Sequence, residues 1–249
     1  MRADRANGPP LVRMMDFTVT VEGHEVLRNV SFDVNPNECL ALVGTPGCGK
    51  RLVLRCLAGV EEVPPRSTVS GRVELGLQGW PAPQFGWMTP RLARSTASPL
   101  EIVTDAARSG MIGTPVEGVA KARAQEALVA CDLLDEIAIT SSSGMLSELE
   151  HQRLSLACAM AENPEILLLD EPCSPLNASE RTALARVIRR IGHSRSVVLT
   201  TSDLHFAVAA AHRIAFFSAG RLVEIGPSGR VASHPMDPDC AAFVAQAGR

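Results

Sequence analysis

The residues with the clearest chemical character lie in two short segments, a glycine loop and an acidic pair. The loop, Gly44-Thr45-Pro46-Gly47-Cys48-Gly49-Lys50, fits the phosphate-binding pattern G-x-x-x-x-G-K-[ST] at every position but the last, where Arg51 stands. The acidic pair, Asp170-Glu171, directly follows the apolar run Ile166-Leu167-Leu168-Leu169. Glycines let successive backbone N–H groups face phosphate oxygens, and a lysine adds a point charge to the outer phosphates. Together, the two segments predict a nucleotide site.

The chemistry of each side chain predicts its role. The hydroxyl that normally follows the lysine ligates Mg²⁺, and the guanidinium of Arg51 cannot do so. Asp170 is the predicted Mg²⁺ ligand, a weak one without that hydroxyl, and Glu171 is the candidate general base for an attacking water, although it could also be idle. Two simpler alternatives are a glycine turn without function and an acidic strand end that only faces solvent. The strand before the loop, the helix after it and Lys50 favour the functional interpretation.

Three interpretations of Arg51 are open at this stage. Its guanidinium could occupy the space of the metal and offset phosphate charge, so that Mg²⁺ would be dispensable or absent. It could instead fill an empty site, or face away from the nucleotide. Nucleotide affinity with and without EDTA tests the first interpretation.

Composition narrows the class of protein. The chain has 249 residues, a net charge of −3 and only two lysines, Lys50 and Lys121, so it lacks the clustered basic residues that nucleic acid would need. Its seven cysteines show no C-x-x-C spacing, which favours a reduced, cytoplasmic protein. Charges interrupt every apolar run before the ~20 residues that a membrane helix needs. Any work at a membrane therefore requires a partner that spans it.

The periodicity of the chain predicts the elements that position these residues. Residues 11–38 alternate apolar and polar side chains, with a turn at Glu22-Gly23-His24, and predict antiparallel strands. From residue 166 to 217, strands alternate with helices, which predicts a parallel sheet. Residues 80–114 are predicted to be irregular, with one helix over Leu100 to Ala107, and residues 116–134 to be helical. Ligands of parallel sheets bind beyond the carboxyl ends of the strands, where the loop and the acidic pair both fall.

With these segments placed, the chain resembles the nucleotide-binding domain of ATP-binding cassette (ABC) transporters from Val12 to Gly226. Three further segments are similar to that family: Val26 to Phe32, Leu146 to Arg153 at the position of the signature L-S-G-G-Q, and Arg213 to Gly226. The tail from Ser233 to Pro238 resembles the end of peptide and nickel importer subunits.

The resemblance implies an α/β fold with a P-loop NTPase core, a mainly parallel sheet, an antiparallel β-subdomain and a helical subdomain. It implies a single domain over 11–249. The antiparallel part would occupy about 11–38 and 66–79, the core 39–60 and 154–230, the helical part about 91–153, and the C-terminal tail 231–249.

The resemblance also assigns residues, and several depart from the family pattern. Members bind ATP between the phosphate loop of one subunit and the signature of another, so Gly44 to Arg51 and Ser147 are the implied nucleotide-binding residues. In the phosphate-binding half, Arg51 replaces the metal-binding hydroxyl, Val21 falls near the place of the aromatic that stacks on adenine, and Pro90 or Thr89 replaces the glutamine that senses γ-phosphate. The signature reads Leu146-Ser147-Glu148-Leu149-Glu150. After the acidic pair, Asn177 replaces an aspartate and Ser202 replaces the switch histidine. Such a set predicts ATP binding with weak or absent hydrolysis.

The leading hypothesis is therefore a degenerate ATP-binding subunit of an ABC transporter, of peptide or nickel importer type. Its partners would be a second, more intact ABC ATPase subunit and transmembrane permease subunits, with no nucleic acid, and it would lie in the cytoplasm on the inner face of the cell membrane. The alternative hypothesis is a soluble regulatory or scaffold pseudo-ATPase that uses the fold as a binding module. Association with permeases or with soluble proteins discriminates between them.

Overall fold

The computed structural model describes residues 8–59, 66–79, 81–88, 96–111, 116–133 and 142–248. The strands are β1 (Val12–Val21), β2 (His24–Val34), β3 (Cys39–Val43), β4 (Ser67–Leu75), β5 (Phe85–Met88), β6 (Ile166–Asp170), β7 (Ser196–Thr201), β8 (Arg213–Ser218) and β9 (Arg221–Pro227). The α-helices are α1 (Lys50–Leu57), α2 (Pro99–Ser109), α3 (Glu117–Ala130), α4 (Glu148–Ala161), α5 (Ala178–Ile191), α6 (Leu204–Ala210), α7 (Ser228–Ser233) and α8 (Pro238–Ala247).

The main sheet has six strands in the order β5-β6-β7-β3-β8-β9. Neighbouring strands of this sheet pair in parallel, except for β8 and β9, which pair antiparallel. Asp170 at the end of β6 lies in register with Thr200 of β7, and Val43 at the end of β3 lies in register with Thr201. Because parallel strands end at the same edge of a sheet, this register brings the glycine loop and the acidic pair together.

Apolar side chains on the two faces of the main sheet form two hydrophobic cores. Along β3, Cys39, Ala41 and Val43 belong to one core, whereas Leu40 and Leu42 belong to the other. Successive side chains of a strand point to opposite faces, so burial of both faces makes the whole strand apolar. The first core joins the sheet to helices α2 to α8, and the second joins it to α1 and the antiparallel strands.

A separate antiparallel sheet has the strand order β2-β1-β4. Strands β1 and β2 form the predicted hairpin, with a turn at Glu22 and Gly23, which have φ values of 49° and 84°. This sheet packs beside α1 through the second core. The mainly parallel sheet, the antiparallel sheet and the helices confirm the predicted α/β class.

The segment predicted to be irregular contains a strand, so that part of the prediction was wrong. Strand β5 pairs in parallel with β6 at the edge of the main sheet. A Cβ at Gly86 would lie 2.8 Å from the backbone oxygen of Ala159 and 2.5 Å from Cγ of Pro164, so the end of α4 packs directly on β5. Four residues are too few for a period of two to be evident in the sequence. The helix predicted nearby is confirmed as α2.

Helices α7 and α8, to which the sequence analysis assigned no structure, are attached to the sheet through Glu224 of β9. The buried carboxylate accepts a hydrogen bond from Arg230 Nη1 at 2.6 Å and from the backbone N–H groups of Met236 and Asp237, each at 3.0 Å. Burial alone would raise the pKa of Glu224, but these hydrogen bonds lower it below its ordinary value. Glu224 is therefore held in its charged form.

Candidate functional site

The glycine loop turns between β3 and α1 in a backbone conformation that glycine favours. Gly44 has a φ of 156°, and a Cβ there would lie 2.3 Å from the backbone oxygen of Phe217. Gly49, with a φ of 98°, is the N-cap of α1, and among the described residues no side chain caps this helix. The first turn of α1 also contains no acidic residue. The N-terminus of α1 is therefore a suitable place for an anion.

Lys50 is buried in the cleft between the loop and the ends of β6 and β7, with 6% of its surface exposed. Its ammonium donates hydrogen bonds to the backbone oxygen of Gly44 at 3.2 Å and to Ser202 Oγ at 2.9 Å. It also lies 3.1 Å from Oε1 of Glu171. The structure thus places the predicted lysine beside the predicted acid.

Both carboxylate oxygens of Asp170 have partners. Thr200 Oγ1 donates to Oδ1 at 2.8 Å, and Arg51 Nε lies 2.5 Å from Oδ2. The Asp170 side chain is 4% exposed, whereas that of Arg51 is 64% exposed. Arg51 therefore reaches from α1 over a buried carboxylate of the cleft.

Glu171 adopts a left-handed backbone conformation, with a φ of 47°, directly after β6. Such a conformation is uncommon for a residue other than glycine and is often found at functional sites. Its N–H bonds to Thr200 Oγ1 at 3.0 Å, and its carboxylate accepts hydrogen bonds from the backbone N–H of Ser202 at 3.3 Å and from Ser202 Oγ at 3.2 Å. Ser202, at the position that the resemblance assigns to the switch histidine, thus connects Glu171 with Lys50.

Thr200 is a residue of this site that the sequence pattern did not predict. It is 0% exposed, and its hydroxyl donates to Asp170 and accepts the N–H of Glu171. The available signal was its place at the end of a strand predicted to lie in the same sheet as β6. Strand order, which alone makes β6 and β7 neighbours, is not contained in the local pattern.

The residues present do not fit a magnesium ion. The phosphate-loop pattern supplies a hydroxyl and a carboxylate to Mg²⁺, but here a guanidinium stands at the hydroxyl position and pairs with that carboxylate. Two positive groups, Lys50 and Arg51, face two negative ones, Asp170 and Glu171, so the charges of the cleft balance without a metal. In the described part of the chain, no group of three or more His, Cys, Asp and Glu residues could hold a metal ion.

At the signature, Ser147 forms a capping box with Glu150 at the start of α4. Ser147 Oγ donates to Oε2 of Glu150 at 2.6 Å and accepts the N–H of Glu150 at 3.3 Å, while the Ser147 N–H donates to Oε2 at 2.8 Å. Glu148 and Glu150 put two carboxylates in the first turn, and Leu149 packs against the first core. The carboxylates of this first turn thus already stabilise the positive N-terminal end of the α4 dipole.

The remaining family positions are placed as follows. Asn177 caps α5, because its Oδ1 accepts the N–H of Glu180 at 3.1 Å. Val21 is half-buried at the end of β1, where it packs against the second core. Thr89 and Pro90 lie outside the described residues. The glycine loop, Lys50, Arg51 and the acidic pair are thus brought to one cleft, and in sequence and geometry that cleft resembles the nucleotide site of P-loop proteins.

Comparison with known proteins assigns the family. The ABC transporter family matches residues 27–174, and the chain therefore belongs to the ABC transporter family. An Fe(3+) ions import ATP-binding protein of Rhodococcus jostii is 36% identical over 229 residues, covering 90% of this chain and 64% of the relative. A phosphate import ATP-binding protein of Mycobacterium bovis is 30% identical over 238 residues, covering 89% and 92%. The chain thus spans less than two thirds, 64%, of the length of the iron-import relative.

Solved structures support the same fold at lower identity. A bacterial Atm1-family ABC exporter with ATP bound matches with a TM-score of 0.72 and 20% identity, covering 96% of this chain and 42% of the exporter. A dimeric, post-hydrolysis ATP-binding cassette bound to ADP and Pi matches with a TM-score of 0.69 and 21% identity, covering 87% and 98%. These matches confirm the predicted ABC ATPase fold. Within the described ranges, no helix has the length and apolar character needed to cross a bilayer.

Proposed function

We propose that this chain is the ATP-binding subunit of an ABC importer and acts as a degenerate partner, impaired in hydrolysis, beside a more intact ATPase subunit. One observation carries the proposal. The phosphate loop, Lys50 and the acidic pair lie in one cleft, which supports nucleotide binding, while the groups that would assist hydrolysis are paired with the chain's own side chains.

Binding of a nucleoside triphosphate is supported by the loop and the start of α1. The loop residues Thr45, Pro46 and Gly47 are exposed at its tip, and the N-terminus of α1 favours negative charge. The ammonium of Lys50 now lies 3.1 Å from Oε1 of Glu171, and a bound phosphate would replace this carboxylate as its partner. ATP is the nucleotide that the family membership favours.

Weak hydrolysis is supported by the contacts of Glu171. Its carboxylate accepts two hydrogen bonds from Ser202, one from the backbone N–H and one from the hydroxyl, and neither involves Lys50, so it is less free to take a proton from a water molecule. The serine at position 202 also offers no imidazole to orient the reacting groups. We therefore assign Glu171 the role of an idle general base.

A different partner subunit is supported by the charge at the signature. In a family dimer this surface would face the outer phosphate bound by the opposite subunit. Glu148 and Glu150 place negative charge there, and the hydroxyl of Ser147 is held by Glu150 at 2.6 Å. A homodimer would carry this defect and the altered metal position in both sites. A heterodimer combines each altered half with an intact one.

Import is supported by the iron and phosphate import relatives, since the names of both describe import ATP-binding proteins. Partnership with transmembrane permeases, and a place on the inner face of the membrane, follow from that class of transporter. For the subfamily we retain the peptide and nickel importers, on the sequence of residues 233–238 alone.

The first test is ATP turnover by the purified chain. We expect turnover at background level, and no further loss in Glu171→Gln or in the control Glu126→Gln, an exposed glutamate of α3. Robust turnover that Glu171→Gln abolishes and Glu126→Gln does not would contradict the proposed impairment.

The second test is a pull-down of the tagged chain from a detergent extract, with the captured chains identified by mass spectrometry. We expect a membrane permease together with a second ABC ATPase that carries an intact signature. Capture of a permease with only further copies of this chain would contradict the heterodimer. Soluble partners without a permease would support the scaffold alternative instead.

A further inference from the structure

We propose that Arg51 takes the place of the magnesium ion, so that the chain binds a nucleoside triphosphate without a divalent metal. The proposal rests on the proposed function, because it concerns the same nucleotide site. Beyond the proposed function, it states that the ligand is the free nucleoside triphosphate and not its magnesium complex.

The position of the guanidinium is the first argument. Arg51 Nε lies 2.5 Å from Oδ2 of Asp170, and Thr200 occupies the other oxygen at 2.8 Å. A metal ion at Asp170 would have to displace the guanidinium from a carboxylate that is 4% exposed. It would also find no hydroxyl at position 51 to complete its oxygen ligands.

Charge and accessibility are the second argument. The Arg51 side chain is 64% exposed, so it is accessible to a ligand while it pairs with Asp170. A guanidinium is always charged and presents several donors that suit phosphate oxygens. Together with Lys50 and the N-terminus of α1, it supplies positive charge to the phosphates from the protein itself. Dissolved Mg²⁺ would bind the same phosphate oxygens and compete with Arg51 for them.

The experiment measures the dissociation constant of ATP for the full chain by calorimetry, once in MgCl₂ and once in EDTA. For the native chain we expect the two constants to agree within about 3-fold, or the constant in EDTA to be the lower one, because no charge-assisted contact is lost with the metal. In Arg51→Ser, which restores the hydroxyl of the pattern, we expect binding in EDTA to be at least about 10-fold weaker than in MgCl₂.

A matched control is Arg186→Ser, which removes an exposed arginine of α5 and leaves the cleft unchanged. We expect it to behave as the native chain. Arg51→Met, which supplies neither a charge nor a hydroxyl, should weaken binding about 10-fold or more in both buffers.

The outcomes separate this inference from the proposed function. Native binding that falls 10-fold or more in EDTA would overturn the role of Arg51 and leave the ATP-binding subunit intact. Absence of native binding in both buffers would overturn both proposals. The native measurement is decisive by itself, so the test does not depend on whether a variant folds.

Discussion

The conformation of the phosphate loop can be tested with a pair of glycine substitutions. In Gly44→Ala the new Cβ would lie 2.3 Å from the backbone oxygen of Phe217 and 2.7 Å from Sγ of Cys48. Because the oxygen belongs to a central strand of the sheet, it cannot move aside without disturbing β8. Gly47→Ala is the matched control, since Gly47 has a φ of 83° but no neighbouring atom within 4 Å of the added Cβ.

The expected losses differ because only one of the two substitutions creates a clash. A positive φ costs an alanine roughly 1–2 kcal/mol, which is the whole effect expected at Gly47. Overpacking against rigid neighbours adds about 1–3 kcal/mol at Gly44. The free energy of unfolding should thus fall by about 2–5 kcal/mol in Gly44→Ala, a large part of the total for a domain.

Urea unfolding of the native chain and both variants measures these values, provided that the slopes of free energy against urea agree. Equal losses in the two variants would refute the reasoning, because they would mean that Gly44 does not pack against the carbonyl group of β8. ATP binding offers a second measurement. Gly44→Ala should weaken it, since Lys50 bonds to the backbone oxygen of Gly44.

Three further predictions concern hydrogen bonds in or near the site. Glu150→Ala removes the capping box from Ser147 and should lower the free energy of unfolding by about 1 kcal/mol; no loss in urea unfolding would mean that the box is not formed in solution. Thr200→Val keeps the side-chain volume but removes the hydroxyl that donates to the buried carboxylate of Asp170, so the free energy of unfolding should fall by about 1–3 kcal/mol. An unchanged urea unfolding curve would contradict this. His212 Nδ1 accepts the N–H of Cys39 at 2.9 Å, and burial, together with neighbouring positive charges, lowers the pKa of His212 below 6.5. The imidazole of His212 therefore takes up a proton more readily in the unfolded chain, so stability present above pH 6.5 is lost as the pH falls below it. His212→Ala should reduce this pH dependence of the free energy of unfolding in a series of unfolding curves.

The sequence predicted the centre of the site because its parts are local. The strand, glycine loop and helix from Cys39 to Leu57 are contiguous, and so are the apolar run and the two acids of β6. Their meeting, with Lys50 at 3.1 Å from Glu171, follows once both strands are placed in one parallel sheet. This juxtaposition is the part of the predicted site that the structure reproduces.

The contacts that modify the site could not be predicted from the sequence. That Thr200 serves both acidic residues depends on β7 lying between β6 and β3, which is a property of the strand order. That Arg51 pairs with Asp170 depends on the rotation of α1 about its axis. Ser147, by contrast, is predictable as the N-cap of α4, because a serine directly before a helical pattern is a local signal, and the structure confirms it there.

Strand β5 shows a different limit. It is four residues long, and its pairing partner β6 lies some eighty positions further along the chain. Its short sequence carries no recognisable pattern, and what holds it in place is the main-chain ladder with β6 and the packing of Gly86 under α4. Such an edge strand is specified mainly by its surroundings.

The attachment of the last two helices through Glu224 has a practical consequence. Removal of the chain from residue 236 onwards would strip this buried carboxylate of two of its hydrogen-bond donors and leave Arg230 as its main partner. Shortened versions made for crystallisation should therefore lose heat resistance, whereas an affinity tag added beyond residue 248 should leave the edge of the sheet undisturbed.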